Sequence, residues 1–194
     1  MGILGKLTGG LRRAQSIRHN GKRLTEILEA HAKFVRGDEN GARAELAGAD
    51  LSRANLEKAN LALANLTGAN LEGASLREAK LMSADFSRAN LRKADLRKAD
   101  LTEAHLPGAD LSEAQLGGAE MFRADLRDAV LRRANLGATN LRSADVHGAD
   151  FQGAHLQTTI LRETDLEGAD LSGTDLSTAL LPKGYKRNAP HGAS

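Results

Sequence analysis

The chain has 194 residues, with 27 Lys and Arg, 25 Asp and Glu and no cysteine, which is typical of one domain with short ends. Without cysteine it forms no disulfide and no thiolate metal site, which favours a cytoplasmic location. It contains no run of about 18 apolar residues, so no membrane-spanning helix is predicted. Charge is uneven: residues 1–36 carry eight Lys and Arg against two Glu, whereas residues 37–181 carry 16 against 23 acids.

Residues 1–21 form a basic first segment, in which an amphipathic helix is predicted over residues 3–18. Apolar side chains recur along one side of this stretch at helical spacing. Its basic side chains are Lys6, Arg12, Arg13 and Arg18. Gly9 and Gly10 weaken the middle of such a helix. Four alternatives are open for it: a second capping helix packed on the helix that follows, a helix that docks a partner, a helix that lies on a membrane surface, or a disordered segment.

Residues 22–37 are predicted to hold a second helix, over residues 22–36. The side chains on its predicted inner face are Leu24, Ile27, Leu28, His31, Phe34 and Val35. Asn20-Gly21 interrupts the chain before this helix, and Gly37 follows its last turn, as glycine often does at a helix end. We expect the helix to cap the open end of the domain that follows.

From Leu46 to Leu181 an apolar residue, here called the centre, occupies every fifth position, 28 times without insertion or deletion. The centres that depart from leucine are Phe86, Met121, Val146 and Phe151. The residue two before each centre is always Ala or Thr, and the residue one before is usually Asp or Asn. The repeating unit is therefore A-[D/N]-L-x-x.

A period of five fits neither an α-helix nor a single strand. Successive centres would scatter around a helix, and they would alternate between the two faces of a strand. The chain must therefore turn in every repeat, so that each short extended stretch directs its centre to a common interior. The period alone does not determine how many repeats close one coil.

The repeat, as in Ala49-Asp50-Leu51-Ser52-Arg53, resembles the pentapeptide repeat family. This resemblance implies an all-β solenoid, a right-handed quadrilateral β-helix with four repeats per coil. Residues 38–181 would then form about seven coils between the α-helical N-terminal segment and a C-terminal tail, residues 182–194.

The residues around each centre indicate turns. Asp and Asn before the centre have short side chains that bond nearby backbone groups. Two residues after the centre, glycine alternates with Arg, Lys, Glu and Ser. Because glycine is absent from many of these positions, we expect mixed turn types, with positive φ in only some of them.

If residues 20 apart stack, one side of the rod carries apolar residues at outward positions, a pattern that indicates a contact site. The candidate partner-binding residues are Leu63, Met82, Phe122, Ile160 and Leu180. Three occupants are open: the N-terminal segment of the chain itself, a second copy, or another protein.

Some pentapeptide repeat proteins act as DNA mimics whose acidic rod binds DNA gyrase and protects it from quinolones or other poisons. The resemblance extends this candidate role to the most acidic side. Its candidate residues are Asp85, Asp125, Asp128, Asp145 and Asp165. Direct binding of nucleic acid is not favoured, because acids interleave with the basic side chains and aromatic residues are scarce.

The array ends at Pro182, which cannot donate a ladder hydrogen bond. Some family members dimerise through this end, and the resemblance makes it a candidate homodimer contact. Its candidate residues are Leu180, Leu181 and Tyr185.

No enzyme activity, cofactor or metal site is predicted, because no histidine pair has metal-ligand spacing with carboxylate support. The favoured function is a rigid scaffold or modulator that binds another protein. The alternatives are a DNA mimic directed at gyrase and a membrane-surface scaffold tethered by residues 3–18.

Overall fold

The computed structural model describes residues 10–185. The elements that precede the repeats are a 3₁₀ helix Ala14–Ser16, strand β1 Arg18–His19, strand β2 Lys22–Arg23 and helix α1 Leu24–Arg36. β1 and β2 pair antiparallel around Asn20-Gly21, where both φ angles are positive, at 48° and 79°. Two successive positive φ angles in a two-residue loop define a tight hairpin turn.

Helix α1 begins at Leu24, two residues later than predicted, because Lys22 and Arg23 are extended and pair with β1. Its end lies at the predicted glycine. Gly37 has a φ of 78°, and its N–H donates to the Phe34 carbonyl at 3.0 Å. A glycine in this conformation satisfies a carbonyl of the last helical turn.

The helix predicted over residues 3–18 is wrong in its described part, and residues 3–9 lie outside the described residues. Arg12 instead runs parallel to the first coil. Its N–H donates to the Arg53 carbonyl at 2.6 Å, and its carbonyl accepts from Asn55 N–H at 2.9 Å. The first coil has no coil before it, so the extended segment satisfies backbone groups that a helix would leave unpaired.

The repeats stack as coils of 20 residues. From Glu45 to Asn140, each residue before a centre forms a parallel bridge with the residue 20 positions later, and Asp150 with Asp170 and Ile160 with Leu180 continue the pattern. Four such columns exist, so four repeats make one coil. We name the four sides A, B, C and D by their first centres, which are Leu46, Leu51, Leu56 and Leu61.

The interior of the rod is filled by side chains. Every centre from Leu46 to Leu161 is at most 2% exposed, and burying a leucine contributes about 2 kcal/mol. Threonine replaces alanine at some inward positions without leaving a polar atom unpaired. The Thr139 hydroxyl, for example, donates to the Leu116 carbonyl at 2.8 Å, as buried polar groups require.

The expectation of mixed turns is wrong. Each turn from Gly48 to Gly173 has positive φ two residues after its centre, whether the residue there is glycine or not. In most of these turns the N–H of this residue donates to the next coil, as Arg53 does to the Glu72 carbonyl at 2.8 Å. Stacking thus favours the conformation in those turns, although left-handed backbone costs an L-residue about 1–2 kcal/mol.

The Asp or Asn before each centre has the predicted turn role. Its side-chain oxygen accepts the N–H of the residue after the centre, as Asp50 Oδ1 does from Ser52 at 3.1 Å and Asn65 Oδ1 does from Thr67 at 3.2 Å. These bonds fix the corner at which the chain changes sides.

The last coil is less tightly joined than the others. Bridges connect Asp150 to Asp170 on side B and Ile160 to Leu180 on side D, but within the described chain none reaches Asp165 on side A. Side C likewise has no bridge between the last two coils of the described chain. No helix in residues 10–185 is long and apolar enough to cross a membrane.

Candidate protein-binding surfaces

Side D exposes apolar side chains close to the N-terminal end of the rod. Leu63 is 48% exposed and Met82 is 45% exposed. The two residues lie in adjacent coils, because the Leu63 N–H donates to the Met82 carbonyl at 2.9 Å. Large apolar side chains this exposed stand out on a surface that is otherwise polar.

Helix α1 exposes a further apolar side chain near the N-terminal end. Phe34 was predicted to face inward but is 36% exposed, and its ring stacks on His31 with centroids 5.7 Å apart. The backbone of Phe34 lies so close to Gly41 that a Cβ there would collide with it. Arg43, two residues after Gly41, reaches side D, where its Nε donates to the Leu63 carbonyl. We call Leu63 and Met82 the N-terminal apolar patch.

The remaining predicted partner-binding residues lie elsewhere on side D. Phe122 is half-buried beneath the Arg123 guanidinium, whose carbon lies 4.9 Å from the ring centroid, a cation–π arrangement. Ile160 and Leu180 are bridged to each other near the C-terminal end. The structure therefore places the five predicted residues in three separate locations.

Two of the five predicted acids on side A, Asp85 and Asp125, are only partly exposed and are hydrogen-bonded to neighbouring residues. Asp85 and Asp125 are separated in their column by His105. Burial acts to raise the pKa of Asp85, but the hydrogen bonds that it accepts from the Ser87 hydroxyl and N–H, together with weaker contributions, leave the pKa lowered. Asp125 pairs with Arg127 at 2.7 Å, and this hydrogen-bonded partner lowers the pKa of Asp125.

Exposed carboxylates collect in the C-terminal half of side A. Asp128, Asp145 and Asp165 are exposed, and Glu167 lies in the same coil as Asp165. Arg127 is the described cation nearest this group, with its Nε 3.6 Å from Asp145. Three of the five predicted DNA-mimic residues are therefore available to a partner as exposed acids.

Side B carries alternating charges. Arg92 lies 3.3 Å from Asp110 and 3.7 Å from Glu113, and Arg132 pairs with Asp150 at 2.5 Å. Exposed pairs of this kind contribute roughly 0–1 kcal/mol each. They leave no continuous basic track of the kind that binds a phosphate backbone.

The C-terminal end is partly open. Leu180 is exposed, whereas Leu181 and Tyr185 are half-buried and pack against the core, as does Leu171. Of the three predicted dimer residues, only Leu180 is thus a surface side chain. The described residues after Pro182 form a turn closed by the Tyr185 N–H and the Pro182 carbonyl at 3.2 Å.

His31 is the buried polar residue whose role was missed. It is fully buried, and its Nδ1 accepts the Ala44 N–H at 3.0 Å, which links α1 to the first coil. Burial lowers the pKa of His31, while the Ala62 carbonyl opposes that shift and Arg43 adds to it. Nε2 has no partner with full hydrogen-bond geometry among the described residues. The only sequence signal for this role was the position of His31 on the apolar face of the predicted helix.

The described residues contain no group of three or more His, Cys, Asp or Glu arranged to hold a metal ion. With a filled interior and shallow surface depressions, residues 10–185 present surfaces for contact and no enclosed cleft.

The family described as "Pentapeptide repeats" matches in eight copies, over residues 44–81, 84–121, 119–157 and 139–177. These matches span most of the chain. The chain belongs to the pentapeptide repeat family. Members of this family form right-handed quadrilateral β-helices, which agrees with the four bridged columns.

Several solved structures of pentapeptide repeat proteins are similar to this chain. HetL, which is involved in heterocyst differentiation regulation in the cyanobacterium Nostoc sp. strain PCC 7120, is 30% identical with a TM-score of 0.33, over 73% of this chain and 86% of HetL. A protein from the Arabidopsis thaliana thylakoid lumen is 32% identical with a TM-score of 0.40, over 57% and 66% of the two chains.

A third similar structure is QnrB1, a plasmid-mediated fluoroquinolone resistance protein. It is 22% identical with a TM-score of 0.37, over 67% of this chain and 73% of QnrB1. A comparison with curated protein sequences gave no significant match.

Proposed function

We propose that this pentapeptide repeat protein is a rigid rod without catalytic activity that binds another protein through the N-terminal apolar patch. The observation that carries this proposal is the exposure of Leu63 and Met82 next to each other in adjacent coils. Apolar side chains grouped in this way gain free energy when a partner covers them.

A rod suits such a role because its surface is held rigidly. Leu63 and Met82 project from turns whose backbone is fixed by hydrogen bonds between coils, such as the bond from the Leu63 N–H to the Met82 carbonyl. Little conformational entropy remains to be lost when a partner binds to such turns. The specificity would come from these side chains, since the fold alone determines no partner.

Affinity capture with matched variants tests this function. The wild-type chain is compared with Leu63→Glu/Met82→Glu and with the control Gln157→Glu/Thr158→Glu, which adds two carboxylates to exposed positions on side C. We expect a protein that is retained by wild type and control and lost by the patch variant. If every captured protein is retained equally by all three chains, the patch is not the binding site.

A second candidate function is that of a DNA mimic that binds DNA gyrase, and the exposed acids in the C-terminal half of side A favour it. Asp128, Asp145 and Asp165 present carboxylates on one side of three consecutive coils, with coils about 4.8 Å apart. The partial burial of Asp85 and the ion pair of Asp125 with Arg127 shorten the acidic track compared with the side as predicted.

A supercoiling assay with purified gyrase tests the second candidate. Wild-type protein should change the rate of supercoiling or protect the enzyme from a quinolone, and Asp128→Lys/Asp165→Lys should abolish that effect. The matched control is Glu57→Lys/Glu72→Lys, which reverses two exposed acids on other sides. An absence of effect with wild-type protein would exclude gyrase as a target.

A further inference from the structure

We propose that a depression between the β1–β2 hairpin, helix α1 and the start of the first coil binds a small apolar molecule that carries one carboxylate. None of the residues that line this depression belongs to the N-terminal apolar patch. The proposal is therefore independent of the protein-binding function proposed above.

The depression has a volume of about 300 Å³ and lies where three parts of the chain meet. The hairpin contributes one wall, α1 the second, and the residues just before the first centre the third. Sites for small molecules favour junctions between structural units, and they start at about this volume.

Backbone hydrogen bonds hold these walls in place. The Ala42 N–H donates to the Ala30 carbonyl at 3.0 Å, which ties the third wall to α1. The Leu24 N–H donates to the Ile17 carbonyl at 2.9 Å, which ties the start of α1 to the residues before the hairpin. Walls that are already fixed need little ordering when a ligand binds, and this favours affinity.

Most of the surface of the depression is apolar. The apolar residues that line it are Ile27, Ala30 and Ala42. Ile27 and Ala30 are half-buried and Ala42 is exposed, so each retains apolar surface in contact with water. A ligand with an apolar body gains free energy by covering this surface.

Both acids of the depression already have partners within the chain. Glu26 accepts the Arg23 N–H at 3.1 Å, which caps the start of α1. Glu45 accepts from Asn65 Nδ2 at 2.7 Å and lies 3.6 Å from the Arg43 guanidinium. A cationic ligand would have to compete with these partners.

Lys22 is the cation of the depression that a ligand can reach without displacing a partner. It is exposed, and its ammonium forms no ion pair with any residue that the structure describes. Arg43, in contrast, is engaged with Glu45, and His19 lies within hydrogen-bond distance of Asn20, at 3.2 Å. The charges therefore favour an acid over an amine of the same shape.

Amide NMR shifts of the isotope-labelled full chain, titrated with three probes of similar shape, test the proposal. The probes are phenylacetate, phenylacetamide and phenethylamine, which carry a negative charge, no charge and a positive charge. We expect saturable shifts at Ile27, Ala30 and Ala42, with phenylacetate bound most tightly and phenethylamine most weakly.

Two variants separate the charge from the apolar surface. Lys22→Gln should weaken phenylacetate binding roughly two- to fivefold, as the loss of an exposed ion pair does, and should leave phenylacetamide binding unchanged. Ala30→Leu fills the depression and should abolish the shifts with all three probes.

Two controls should bind phenylacetate as wild type does. Lys33→Gln removes an exposed lysine of the same helix that does not line the depression. Leu63→Glu/Met82→Glu changes the N-terminal apolar patch. Loss of phenylacetate binding in this second control would overturn the proposal, because it would place the site on the patch.

Three further results would overturn the proposal. The first is the absence of saturable shifts with phenylacetate. The second is equal binding of phenylacetate and phenylacetamide, or wild-type affinity in Lys22→Gln, because either shows that the ammonium selects nothing. The third is tighter binding of phenethylamine, which would show that Glu26 or Glu45 directs the ligand.

Discussion

The two ends of this rod meet the same physical requirement in different ways. At the N-terminal end, Ile17 and Leu24 are buried in the core, and Arg12 continues the backbone pairing of the first coil. At the C-terminal end, Leu171 and Leu181 are only partly buried. The repeats at both ends have nearly the same sequence, so the difference comes from what flanks them.

The comparison shows that burial in a solenoid is a property of neighbouring coils. Gly168 and Gly173 in the last coil keep the positive φ of all earlier turns, and the series ends before Thr178. What is lost there is part of the ladder and the cover over the leucines. Each coil is thus stable in proportion to the neighbours it contacts.

The largest expected effect is the loss of stability when a centre is truncated, which should differ between an interior coil and the last coil. Leu111 and Leu171 occupy the same column of side B, but only Leu111 is fully buried. Leu111→Ala should lower the free energy of unfolding by about 3–4 kcal/mol, as a core cavity does, and Leu171→Ala by roughly half as much. Urea unfolding followed by circular dichroism measures both, and equal losses would contradict the difference between coils.

The next effect concerns the helix that closes the N-terminal end. A Cβ at Gly41 would collide with the backbone of Phe34, whereas a Cβ at Gly68 meets open space. Gly41→Ala should displace α1 and cost about 1–3 kcal/mol. Gly68→Ala should cost about 1–2 kcal/mol from its positive φ alone.

Limited proteolysis separates these two variants. Cleavage between residues 18 and 42 should accelerate in Gly41→Ala and remain unchanged in Gly68→Ala. If both variants are cleaved at the wild-type rate, α1 does not depend on the close approach at Gly41.

Several features of this structure followed from the sequence, and others depended on distant contacts. The five-residue period predicted the coil, the inward centres and the Asp and Asn turn bonds, since each follows from local spacing. The positive φ at Arg53 or Glu163 did not follow, because local preference argues against it and stacking overrides local preference.

The candidate surfaces also contain features that followed from the sequence and features that did not. The position of Leu63 and Met82 on one side follows from residues 20 apart stacking. The exposure of Phe34 does not, because it depends on how α1 lies against the first coil. The extended conformation at Arg12 could not be predicted either, because it depends on pairing with the backbone of Arg53 and Asn55, which are distant in the sequence.

Protonation of His31 should loosen the N-terminal end and leave the C-terminal end unchanged. Because burial lowers its pKa below the ordinary 6.5, the folded state favours the neutral ring, which accepts the Ala44 N–H. The stability that depends on the neutral ring is therefore complete above pH 6.5 and is lost as pH falls from 6.5 through the lower folded pKa.

Thermal melting between pH 8 and pH 5, followed by the helical circular dichroism signal, measures this effect. His31→Leu should remove the decline, since leucine cannot be protonated. The acids with lowered pKa, such as Asp110 and Asp125, add a separate loss of stability only below their ordinary pKa of 3.8. A decline near pH 6 that persists in the leucine variant would assign it to another group.

The smallest expected effect sharpens the view that stacking, and not residue type, sets the turns. Ala138 has a φ of 58°, and Ala138→Gly should stabilise the rod by about 0–1 kcal/mol, because relief of left-handed strain exceeds the entropy that glycine adds to the unfolded chain. Ala62 precedes such a position and lacks positive φ, so Ala62→Gly should destabilise by about 0.5–1 kcal/mol. Urea unfolding measures the change in the free energy of unfolding for both variants. Changes of opposite sign would show that the neighbouring coils hold Ala138 in this strained conformation, and changes of equal sign would show that the strain is absent.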